Sequence, residues 1–160
     1  MQNKDQVGKA LGRVASGLFI VTARHEEKED AVLASWVSQC SFEPPALTIV
    51  LAENRPARRL IEASGAFIVN VLNNDTDGLL KKFCKGPAKP GASVLENLKA
   101  RKGYKDIAIL EESVSYLECK VINQVPVGDH VLYVGEILGG EVLNADDKPY
   151  FHTRSNGFGY

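Results

Sequence analysis

Long hydrophobic runs are missing from this chain of 160 residues. Its longest apolar stretches, Gly17–Ala23 and Ala46–Ala52, fall far short of the ~20 residues that a bilayer-spanning helix needs, and Met1–Asp5 has no signal-peptide core. Neither membrane insertion nor secretion is expected, and the chain is assigned to the cytoplasm. An imbalance of charge is missing too: 19 Lys and Arg stand against 20 Asp and Glu, a net charge of -1. Such a chain has no global field to gather nucleic acid or an anionic membrane. Cysteine is scarce, and Cys40, Cys84 and Cys119 are an odd count with no CxxC, which suits buried or idle thiols better than a metal or redox pair. His25, His130 and His152 are too scattered for a pattern such as HExxH, so no metal site is expected. No GxSxG elbow is present, and Gly135, Gly139 and Gly140 do not make a GxGxxG turn after a strand. A serine hydrolase and a Rossmann dinucleotide site are thereby disfavoured.

What the chain does contain is the composition of an ordinary globular domain, 44% hydrophobic and 24% charged. No repeat, low-complexity tract or linker divides it, so residues 1–160 read as one domain. Val7, Leu11 and Val14 share one face of a helix predicted over Lys4–Ala15, ended by Gly17. Leu18–Thr22 reads as a buried strand and the charged run His25–Asp30 as a hairpin-like loop. A strand over Ala31–Ser41 is broken by Glu43-Pro44-Pro45, and another follows at Leu47–Ala52. Pro56 opens a helix of two to three turns that Ser64-Gly65 closes. Phe67–Leu72 is a third apolar strand, and Asp75 or Thr76 can cap a helix through Leu79, Leu80 and Phe83. Lys85–Gly91 must be loop, while Ser93–Glu96 has capping-box spacing and predicts a short helix toward Lys102-Gly103. Strands are expected over Ser113–Ile122, Val131–Leu138 and, beyond Gly139-Gly140, Glu141–Leu143. Six or seven strands with short helices between them indicate a β barrel or sandwich, and the tight joins from Leu18 to Ala52 leave no room for helical crossovers.

Three places have residues with chemistry to offer. In the strand over Ala31–Ser41, Ala34, Trp36, Ser38 and Cys40 alternate with Ser35, Val37, Gln39 and Ser41, and neither set is simply core. Such a strand either lines something polar or faces solvent. Asn54, Arg55, Arg58 and Arg59 cluster at a helix start, where free N–H groups and the helix dipole favour a phosphate. A solvated helix face fits the same cluster. Gly128-Asp129 suits a hairpin turn, and His130 beside it is ionisable near neutral pH, open to a proton-donating role or to a plain turn contact.

Taken in order, Ala34-Ser35-Trp36-Val37-Ser38-Gln39, Ser41-Phe42-Glu43-Pro44-Pro45 and Gly128-Asp129-His130 resemble the flavin reductase-like FMN-binding domains. The match is especially close to the C-terminal reductase domain of cyanobacterial flavodiiron proteins, which shares the Leu117-Glu118-Cys119 and Val142-Leu143-Asn144 strings, and it runs from about Leu11 to Tyr160. The resemblance implies a mainly β, Greek-key split β-barrel with a few short helices, homodimeric, holding FMN that NADH or NADPH reduces. It implies further that Ala34, Ser35, Trp36, Val37, Ser38 and Gln39 lie along the flavin ring and that Ala52, Asn54, Arg55 and Arg58 serve its phosphate. His130 would act near flavin and nicotinamide, and Lys89 would assist with the same anion or with the nucleotide. An electron-accepting protein, or a fused flavodiiron core, is the implied partner. The alternative is an FMN-binding electron-transfer module with little nicotinamide activity, and a flavin-free scaffold is the third reading. The chain departs from the family pattern at Asp30–Ala34, where many relatives carry a Gly-x-Thr-Ala sequence, and at Glu53, where a neutral or basic residue is common.

Overall fold

The computed structural model describes residues 1–75, 78–87, 89 and 91–159. Its order is α1 (Lys4–Gly12), β1 (Phe19–His25), β2 (Lys28–Ala34), β3 (Val37–Phe42), β4 (Pro45–Ala52), α2 (Ala57–Ser64) and β5 (Ala66–Val71). There follow α3 (Leu79–Cys84), β6 (Ala100–Lys102), β7 (Ala108–Leu110), β8 (Ser115–Val127) and β9 (His130–Val142). Seven strands form one antiparallel sheet in the order β2-β1-β5-β8-β9-β4-β3, and β6 pairs with β7 in a small second sheet.

The apolar runs at β1 and β5 are continuous because both faces of these central strands are covered. Ile20–Ala23 and Ala66–Asn70 are buried without a break. One side packs Val21, Val32, Ile49, Phe67, Val69 and Tyr133 against Ala57 and Ile61 of α2. The other packs Leu18, Ile20 and Leu72 against Leu79 and Leu95, and Ile68 against Ile107 and Ile109. Buried Asn70 is fully used: its amide donates to Ile20 O at 3.1 Å and its Oδ1 accepts the Leu110 N–H at 2.8 Å. Thr22 Oγ1 donates to Ala108 O at 2.6 Å, so these two polar side chains fix the small sheet to the large one.

Several elements differ from the sequence-based expectation, each for a tertiary reason. Helix α1 stops at Gly12 and leaves Leu11 and Val14 exposed; its buried residues are Gly8 and Gly12. The charged run His25–Asp30 is mostly strand, since β1 and β2 pair through to His25 and Lys28 around a turn at Glu26-Glu27. The expected Ala31–Ser41 strand is two strands, interrupted at Ser35-Trp36. Helix α3 starts after Gly78, which makes no side-chain cap; the Asp75 carbonyl accepts the Gly78 N–H at 3.3 Å, and Thr76 lies outside the described residues. No helix forms over Ser93–Lys102. Ser93 Oγ accepts the Leu95 N–H at 3.1 Å, a local turn, and Ala100–Lys102 is drawn into pairing with Ala108–Leu110. Gly139 and Gly140 do not end a strand but lie inside β9, paired with Glu118 and Leu117. Helix α2 matches expectation, with Gly65 at φ 66° closing it in the left-handed region.

Candidate functional site

The interruption at Ser35-Trp36 positions the first part of the site. Freed from the β2 ladder, Trp36 is held against β4 by its carbonyl, which accepts the Val50 N–H at 3.0 Å. The second part arrives on the hairpin between β8 and β9. Gly128 takes φ 60° at the first turn position, which a two-residue hairpin loop requires of a residue without Cβ. Pairing of Ala52 with His130, and the Glu53 N–H donated to Asp129 O at 3.0 Å, bring the tip of that hairpin to the turn that precedes α2.

Trp36 and His130 then lie ring to ring, with centroids 4.8 Å apart and planes inclined by 43°. They line a cleft of about 490 Å³ together with Val50, Leu132, Arg154 and Phe158. A second, smaller depression that shares Trp36 and Val50 with the cleft is lined by Ala34, Ser35, Leu51, Ala52 and Arg55. His130 Nδ1 lies 2.7 Å from Asp129 Oδ1, and that hydrogen bond holds the Asp129 carboxyl below its ordinary range. A carboxylate only accepts, so Nδ1 carries hydrogen, and proton exchange with any other group falls to Nε2.

The arginines part company. Arg55 lines the depression beside Ala34 and Ala52. Arg58 turns back on its own helix: Nε and Nη2 donate to Glu62 Oε1 at 3.1 and 2.9 Å, and Nη1 donates to Glu53 O at 3.1 Å. The buried Tyr133 hydroxyl also donates to Glu62 Oε1, at 2.7 Å. Burial works against the Glu62 charge, yet the bonds from Tyr133 and Arg58 keep its carboxyl below the ordinary range, while burial pushes the Tyr133 hydroxyl up. Arg59 lines a different hollow with Arg24, Asp30 and Ser93. Asn54 is exposed on the turn beside Arg55. Lys89 is exposed and lines neither the cleft nor the depression.

Along the expected flavin strand, Ala34, Ser35 and Trp36 reach the site. Val37 packs toward the core, and Ser38 and Gln39 are exposed on β3, an edge strand. Sequence reasoning passed over one participant at the cleft, and one contact outside it in the hollow lined by Arg59. Arg154 places its guanidinium carbon 5.4 Å from the centre of the Trp36 ring, with no local signal near it in the chain. Asp30 accepts the Ala57 N–H at the start of α2, and burial raises its carboxyl above the ordinary value despite that bond and one from Ala31. Its position among charged residues had placed it in a loop. Among the described residues no group of His, Cys, Asp and Glu is arranged to hold a metal ion.

The flavin reductase like domain family matches residues 11–159. The chain belongs to that family. It is 34% identical over 149 residues to diflavin flavoprotein A 1 of Synechocystis sp., covering 93% of this chain and 26% of that protein. A Nostoc sp. relative, named diflavin flavoprotein A 6, is 38% identical over 157 residues, 96% of this chain and 27% of its own length. The chain therefore spans about a quarter of these relatives. Among solved structures, the NADH:FAD oxidoreductase SgcE6 of Streptomyces globisporus superposes with a TM-score of 0.81 at 20% identity, covering 95% of this chain and 90% of that one. Flavin reductase HpaC, solved with NADP+, gives a TM-score of 0.77 at 22% identity over 90% and 89% of the two chains. The fold of a flavin reductase domain is thus shared, with a mainly β sheet and few short helices. Among the described residues no helix is long and apolar enough to cross a membrane.

The residues present suit a flavin. An aromatic pair beside an apolar cleft gives a flat ring a surface, and Arg55, lining the adjoining depression with Trp36, gives a phosphate a cation.

Proposed function

We propose that this chain is an NAD(P)H-dependent flavin reductase that binds FMN along Ala34, Ser35 and Trp36 and passes a hydride to it from the nicotinamide. The observation that carries this reading is the meeting of Ser35-Trp36, Ala52–Arg55 and His130 at one rim, in a member of the flavin reductase-like family. When bound, FMN supplies the redox chemistry, and the protein supplies orientation and charge. Arg55, with Asn54, neutralises the phosphate. Arg58 acts indirectly, bracing α2 and the Glu53 carbonyl behind the turn. Trp36 and His130 keep water from one side of the reacting rings and fix their angle, and His130 is held in one tautomer by Asp129. Lys89, outside both hollows, serves the same phosphate or the nucleotide.

The test is direct. Purified chain loaded with FMN should stay yellow through gel filtration and oxidise NADH or NADPH well above the free-flavin background; FAD run in parallel, and each nucleotide in turn, assigns the pair. No retained flavin and no oxidation above background would sink the proposal. A second reading has its own support, since the diflavin flavoproteins are about four times as long as the segment they share with this chain. In it the domain, residues 1–160, is an electron-transfer module for a fused or separate flavodiiron core. Stopped-flow reduction of bound FMN separates the two: rapid reduction by NAD(P)H supports the enzyme, and reduction only by a partner protein supports the module.

We further propose a cytoplasmic homodimer. Edge strand β3 exposes Phe42 at 88%, and the outer half of β8 exposes Ile122, Val125 and Val127. An uncovered apolar edge of this kind invites pairing with another copy.

A further inference from the structure

On the reading of this chain as an NAD(P)H-dependent flavin reductase, we infer that Arg154 binds the diphosphate of the nicotinamide dinucleotide and that segment 150–159 is a fixed wall of the Trp36–His130 cleft. The segment is docked by backbone. Ser16 and His152 exchange N–H and carbonyl at 3.0 and 2.8 Å, the Arg154 N–H donates to Gly12 O at 2.9 Å, and the Gly157 N–H donates to Gly8 O at 2.7 Å. This approach needs the glycines of α1: a Cβ on Gly12 would fall 2.2 Å from Arg154 O. The seat explains why α1 buries its glycines and leaves Leu11 and Val14 outside.

The product of that docking is one placed cation. Among the described residues the ionisable side chains lining the cleft are Asp129, His130 and Arg154, and Asp129 is joined to His130. Among the described residues no carboxylate pairs with Arg154, whose guanidinium lies over the Trp36 face and donates to Gly159 O at 3.3 Å. A half-buried guanidinium held against an aromatic face is oriented and weakly hydrated, the state in which it binds a phosphate oxygen best. A nicotinamide ring brought to His130 carries its diphosphate one ribose away, and Arg154 stands on the same cleft to receive it.

The experiment uses the full chain saturated with FMN. Arg154→Ala should raise the KM for NAD(P)H about tenfold while kcat stays within about threefold and FMN affinity within about twofold, the pattern of lost nucleotide binding. Arg154→Lys should restore most of the KM, and Arg154→Gln should not. Gly12→Ala, outside the cleft, should reproduce the KM rise and shift the emission of Trp36, the one tryptophan in the chain. Should that variant fail to fold, the Arg154 series decides alone. An unchanged KM in Arg154→Ala, or an equal loss of FMN affinity, overturns the assignment. Quenching of Trp36 by NAD+ or NADP+ separates this inference from the enzyme reading. Wild-type quenching that Arg154→Ala weakens supports the site even in a chain without turnover. Equal quenching in both, or none in either, overturns it.

Discussion

Single residues at the rim divide the work unequally, and substitutions should show it. Arg55→Ala is expected to weaken FMN binding by about 1–3 kcal/mol, the worth of a charge-assisted hydrogen bond, measured by calorimetry on apo protein. Arg58→Ala should lose less affinity and more stability, because it releases Glu62 and the Glu53 carbonyl; a lowered melting temperature with FMN affinity nearly intact is the expected pair of readings. Equal affinity losses in both variants would put Arg58 at the phosphate after all. His130→Ala should slow NAD(P)H oxidation about tenfold or more, equivalent to ~1.4 kcal/mol in the barrier, with FMN still bound. Loss of flavin in proportion to rate would make His130 a binding residue, and no loss of either would reduce it to a turn residue. At this scale the sequence was readable where neighbours in the chain are neighbours in space, as in Gly128-Asp129-His130. It was silent on Arg154 and on the Tyr133–Glu62 bond, whose partners come together only through the sheet.

Whole elements were legible where one local rule dominates. Strands β1 and β5 stand out because burial on both faces makes them continuously apolar, and α2 because Pro56 and Gly65 bracket it. Rules that compete with pairing failed: the capping-box spacing at Ser93 yields to the β6–β7 ladder, and the apolar stripe of α1 yields to its glycine face. The junction of β2 with α2 supports a pH prediction. Burial raises the Asp30 carboxyl above its ordinary 3.8, so the fold holds that proton more tightly than the unfolded chain does. Ionisation therefore works against the fold as pH climbs past 3.8, and the stability present on the acid side is lost on the alkaline side. Asp30→Asn keeps an acceptor for the Ala57 N–H and never ionises. Its melting temperature should exceed wild type at about pH 7 and equal it at about pH 3, by scanning calorimetry. FMN affinity should rise as well, since a negative charge leaves the helix start nearest the proposed phosphate site; a variant less stable at both pH values would show the carboxylate to be a needed cap.

For the molecule as a whole, the proposed homodimer is read in the association state. Light scattering at micromolar concentration should return twice the 17.4 kDa chain mass, and Phe42→Glu should return the single mass with the sheet intact by circular dichroism. A wild-type chain that scatters as a monomer contradicts the dimer. The strand order also bears on how the parts assemble. Strands β8 and β9 pair around a two-residue turn, a contact made between near neighbours, whereas β4 meets β9 only after the intervening chain has looped back. Short closures form fast and long ones slowly. His130 is thus expected in place once its hairpin zips, whereas the Ala52–Arg55 turn meets it only with the long-range closure, so the proposed flavin site should be completed late, and in a refolding trace FMN capture should lag the hairpin.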